Sequence, residues 1–101
     1  MAKVNLQSEE IRKIAKKNYK KVTLVVVSNL SANALYFFFN GIKRVLPGYD
    51  SEADLGNIPT FEFSCNGHYF DCELNFNGSN NNVTIDYAEL IDQENNPLNP
   101  C

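Results

Sequence analysis

Histidine is nearly missing from this chain: His68 is the only one among 101 residues. With one imidazole and no serine, cysteine and carboxylate arranged around it, nucleophilic catalysis has little to work with. A non-enzymatic protein is therefore expected. Cysteine is scarce and odd in number, at positions 65, 72 and 101. Apolar runs are short, far below the ~20 residues of a membrane-spanning helix. The run at residues 22–27 follows several lysines and precedes Ala32-Asn33-Ala34, yet it is too short, and carries Thr23, for the core of a signal peptide. Basic residues all but vanish after Lys21. Residues 1–21 carry a net charge of +5, and residues 22–101, with only Lys43 and Arg44 against ten acids, carry −8. A basic arm on an acidic body is the strongest charge signal.

What the chain does have is alternation. Residues 60–76 read as a β-hairpin turning at Asn66-Gly67, because both central positions of a type I′ turn need positive φ. That register sets Cys65 against His68, Phe63 against Phe70, Glu62 against Asp71 and Phe61 against Cys72. One face is then apolar and the other carries Glu62, Tyr69, Asp71 and Glu73. A second hairpin turns at Asn40-Gly41, opposing Phe39 to Ile42, Phe37 to Arg44 and Leu35 to Leu46. Residues 22–28 read as a strand covered on both faces, and residues 83–89 as a strand with Val83, Ile85 and Tyr87 inward. Ser8 reads as an N-cap ahead of Glu9 and Glu10, and Ile11, Ile14, Ala15 and Tyr19 fall at helical spacing, so a basic helix is expected over residues 8–19. The fold class is mainly β: a single-domain antiparallel sandwich or small barrel of about six strands, mostly a meander, with one N-terminal α-helix. The whole of 1–101 forms one domain, with the β part at 22–92 and a flexible tail at 93–101.

The cysteines are expected to be free. In the hairpin register Cys65 and Cys72 lie several residue pairs apart, too far for a disulfide or a shared zinc ion, and Cys101 sits on the tail. Free thiols point to a reducing compartment, hence a cytoplasmic location. Cys65 and His68 are neighbours, but a thiol facing the core stays protonated and inert.

The acidic face is the leading candidate site. Glu62, Asp71 and Glu73 share it, Asp86 joins from the next strand, and Tyr69 lies beside them. Like charges across a sheet repel, so compensation is expected from a basic partner, from a metal or from the chain's own lysine-rich helix. A basic protein partner fits best, as for an inhibitor, an immunity-type protein or an assembly subunit. Self-association is also expected, with the helix of one copy on the acidic face of another. The alternative is a lectin-like, carbohydrate- or calcium-assisted module using Asp50, Glu52 and Asp54 with exposed tyrosines. That loop lacks the distal bidentate Glu of a calcium loop, so no cofactor or metal is expected. Nucleic acid is excluded by the −8 body, which repels phosphates, and a membrane surface by the thin apolar stripe.

Overall fold

The computed structural model describes residues 3–49, 57–65, 68–76 and 82–92. The Asn66-Gly67 turn, the loop with Asp50, Glu52 and Asp54, and the expected tail lie outside the described residues. Seven strands are present among the described residues: β1 (Lys3–Ile11), β2 (Ala15–Asn29), β3 (Leu35–Phe39), β4 (Ile42–Leu46), β5 (Thr60–Ser64), β6 (Phe70–Phe76) and β7 (Val83–Asp92). They form one antiparallel sheet in the order β1-β7-β2-β6-β3-β4, with β5 pairing β2 off that path. The mainly β, antiparallel class holds, with seven strands rather than six, and the order is no meander.

The basic helix expected at 8–19 is absent. Residues 8–11 belong to β1, residues 12–14 turn, and Ala15 begins β2. Helical spacing of Ile11, Ile14 and Ala15 was coincidental: Ile14 lies 61% exposed at the turn, while Ile11 and Tyr19 are buried from two different strands. Ser8 caps nothing, and its hydroxyl donates to Asp86 across the β1–β7 ladder. An isolated short helix with a thin stripe gains little, whereas an alternating strand finds ladder partners on both sides. The helix-mediated route to self-association disappears with the helix.

The long strand β2 organises the sheet. Its second half, the aliphatic run, pairs β7 on one side and β5 on the other, and its first half pairs β6. Between the halves the ladder is irregular on both flanks. Lys20 and Lys21 together oppose the single residue Asp71, and Thr23 is an extra residue against β7. Lys21 takes φ +52°, a left-handed conformation rare outside glycine. Bulges of this kind bend and twist a strand, here where β2 passes from β7 to β6.

The β3–β4 hairpin matches expectation. Phe39 opposes Ile42, Phe37 opposes Arg44 and Leu35 opposes Leu46, and Asn40 and Gly41 both have positive φ. The other hairpin holds only at its tip, where Cys65 and His68 form an isolated bridge. Beyond it β5 leaves β6 for β2, setting Glu62 opposite Val26 and Phe61 opposite Val27, so neither the Glu62–Asp71 nor the Phe61–Cys72 pairing exists.

Aromatic burial drives that divergence. Phe61 and Phe63 meet Phe37 and Phe39 at ring-centroid distances of 5.1–5.6 Å, although β5 and β3 share no ladder. Phe63 also meets Phe70 edge-on at 4.9 Å, and Phe37 stacks on Phe76 at 5.5 Å. Rings this large stabilise more by packing between faces than by lying side by side in a hairpin. Asn29, fully buried at the end of β2, is satisfied by its surroundings. Its amide donates to the carbonyls of Asn33 and Pro47, and its side-chain oxygen accepts from Ser31 N–H. A Cβ at Gly48 would strike the backbone carbonyl of Ala32, so this crossing requires glycine.

Candidate functional site

The acidic residues divide between two surfaces. Asp71 and Glu73, on β6, face the lysines of β2. Glu73 lies 3.4 Å from the Lys16 ammonium, and Asp71 lies 3.7 Å from that of Lys20 while accepting Lys21 N–H at 2.9 Å. The compensation expected for this face thus comes from the chain's own basic segment, arriving as a strand. The ion pairs are exposed and weak. The Asp71–Lys21 bond has a different role, because it satisfies the backbone at the bulge and pins the bend of β2.

Glu62 and Asp86 stand apart from these. Each opposes Val26, from β5 and β7 respectively, so the row across the sheet reads Glu62, Val26, Asp86, Ser8. The next row on that face reads Thr60, Ser28, Thr84, Glu10. Arg12 reaches Glu10 at 3.5 Å, and neither Glu62 nor Asp86 has an ion-pair partner among the described residues. Three carboxylates therefore share a hydroxyl-rich face. Tyr69, half-buried next to the Cys65–His68 bridge, is not on it.

The cysteine expectations divide as well. Cys72 is free and buried, its thiol pushed up to about 11 by burial and then by the nearby Asp71 carboxylate. Cys65 is disulfide-bonded. A bonded sulfur cannot pair with His68 as a reactive thiolate, and the argument for a reducing compartment loses its premise. Sequence spacing tested Cys65 only against Cys72 and left this bond unseen. Among the described residues no cluster of three or more His, Cys, Asp or Glu is placed to hold a metal.

The feature missed by sequence reasoning is a fork. β7 stays with β1 as far as the Lys3–Asp92 pair, while β2 leaves β7 at Val22 and crosses to β6. The opening holds a cavity of about 640 Å³. Tyr19 and Tyr87 meet there, with ring centroids 4.4 Å apart and planes tilted by 39°. Tyr19 donates its hydroxyl to Glu9 at 2.7 Å, and the Lys17 ammonium lies 3.8 Å from the same carboxylate. Burial, then the Glu9 contact, raises Tyr19 far above the ordinary phenol range, and burial, then Glu9 and Glu89, raises Tyr87. Both phenols stay neutral hydrogen-bond donors. Only the inward alternation of Tyr87 and the oddity of Glu9 beside Ile11 hinted at this in the sequence.

The fold and site define an antiparallel β protein with Glu62, Asp86 and Glu10 on one sheet face and a polar cavity at a strand fork. No protein-family model, characterised protein or solved structure matches the chain.

Proposed function

We propose that this chain is a two-layer β-sandwich domain that binds a basic protein partner through the face carrying Glu62, Asp86 and Glu10, without catalysing a reaction. The observation that supports this reading is the row Glu62–Val26–Asp86, with two carboxylates flanking a half-buried sheet position and no ion-pair partner for either among the described residues. Such a face attracts a lysine- or arginine-rich partner over distance, raising the association rate, with an attraction that salt screens. Asp71 and Glu73 contribute less, because Lys20 and Lys16 already lie against them. Tyr69 is separated from the row and drops out of the contact surface.

Titration of the isotope-labelled protein with a lysine-rich peptide, read by amide chemical shifts, tests this reading. Shifts centred on Glu62, Val26, Asp86 and Ser8 are expected, lost at high salt and in Glu62→Lys. Shifts centred on Asp71 and Glu73, or none, would refute it.

A further inference from the structure

We propose that the cavity at the fork of β2 and β7 is a binding site for a small zwitterion, an amine and a carboxylate carried on one flat apolar body. This site is separate from the acidic face, and it stands or falls independently of the reading given for that face.

The cavity is made by the backbone. Where β2 leaves β7 the ladder ends, and the strands open over polar side chains. The bend is held by Lys21 in a left-handed conformation, with its N–H bound by Asp71. Non-glycine strain beside a bulge, at the mouth of a cavity, is a place where structure has been given up for a site.

The lining specifies the ligand. Glu9 is already satisfied by Tyr19 and Lys17, and Lys20 is engaged by Asp71. That leaves the Glu89 carboxylate and the Lys21 ammonium, which both line the cavity and have no side-chain partner among the described residues. The neutral Tyr87 hydroxyl lies with them, within the field of Glu89. A pure anion would meet Glu89, and a pure cation would meet Lys21. A molecule bearing both charges satisfies both walls, and its apolar body covers the Tyr87 ring and Leu90. The volume lies within the usual range of small-molecule sites and accommodates an amino acid or a dipeptide.

The test titrates the full chain with L-phenylalanine, phenethylamine and 3-phenylpropionate, following amide shifts and heat. Saturable binding of L-phenylalanine is expected, centred on Lys21, Tyr87, Glu89 and Leu90 and at least about tenfold tighter than either half-charged analogue. In Glu89→Gln, an exposed strand position, the advantage over 3-phenylpropionate should disappear. In Lys21→Gln the advantage over phenethylamine should disappear. The proposal is overturned if none of the three probes shifts these amides, if all three bind equally, or if both variants keep the wild-type ranking.

Discussion

The two ends of β2 are made of the same kind of chain and do opposite things. From Val22 to Asn29 the inward residues Val22, Val25 and Val27 are fully buried, beneath the phenylalanines of β3, β5 and β6. From Ala15 to Lys21 the strand keeps its alternation, but the inward side carries Lys17 and Tyr19 against Glu9 and Tyr87. One end closes by dispersion and dehydration, which need no particular partner. The other holds together through a few directional contacts and stays open. Stability is therefore concentrated at the aromatic end, and the freedom to bind lies at the fork.

Substitutions at the two ends should separate accordingly. Phe61→Ala, on β5 opposite Val27 and against the rings of Phe37 and Phe39, should cost about 3 kcal/mol, read by denaturant unfolding. If it costs no more than the fork substitutions below, the contrast collapses. Alkali should act on the fork side first, since Cys72 lies opposite Tyr19 there. Burial raises the Cys72 thiol from its ordinary 9.0 to about 11, so the folded state holds that proton more tightly than the unfolded one. Its contribution is present below pH 9 and is lost as pH rises toward 11, up to about 2–3 kcal/mol. Tm measured across that range should fall, and less steeply in Cys72→Ala. Asn29→Ala should cost about 1–2 kcal/mol by removing three hydrogen bonds that its buried amide makes to the Asn33 and Pro47 carbonyls and the Ser31 N–H, without changing any ligand titration. Tyr19→Phe should cost about 1–2 kcal/mol through the lost bond to Glu9, and should leave Phe76 and its neighbours unshifted by NMR. The smallest effect sharpens the comparison most: Lys21→Gly relieves the left-handed strain and should gain up to about 1 kcal/mol while weakening zwitterion binding. A loss of stability there would show that Lys21 is held by contacts other than the Asp71 bond.

Legibility of the fold followed the range of the interactions involved. The β3–β4 hairpin could be read from Asn40-Gly41 and its flanking alternation, because its turn and pairs are local. The Cys65–His68 pair was legible for the same reason. The departure of β5 to β2 was not, because Phe61 and Phe63 are drawn by rings on β3 that are distant in the chain. The stretch 8–19 misled through composition: its lysines and short apolar spacing fit a solvated helix as well as a strand. What decided between them was β6 on one side of β2 and β7 beside β1, neither of which is near in sequence. Of the acidic site, the identities of the carboxylates were legible. Their division between a surface paired with lysines and one where Glu62 and Asp86 have no ion-pair partner among the described residues was not.

Residue order alone determined the antiparallel β class, the alternation that separates core from surface, the tight turn at Asn40-Gly41 and the segregation of charge. These rest on backbone periodicity and turn stereochemistry, which act between near neighbours. Only the tertiary structure decided that the basic segment is a strand, that Glu62 joins Asp86 instead of Asp71, and that β2 passes from β7 to β6 and opens a fork. Those outcomes depend on which distant faces meet, and burial of large rings is non-directional until a particular packing is chosen.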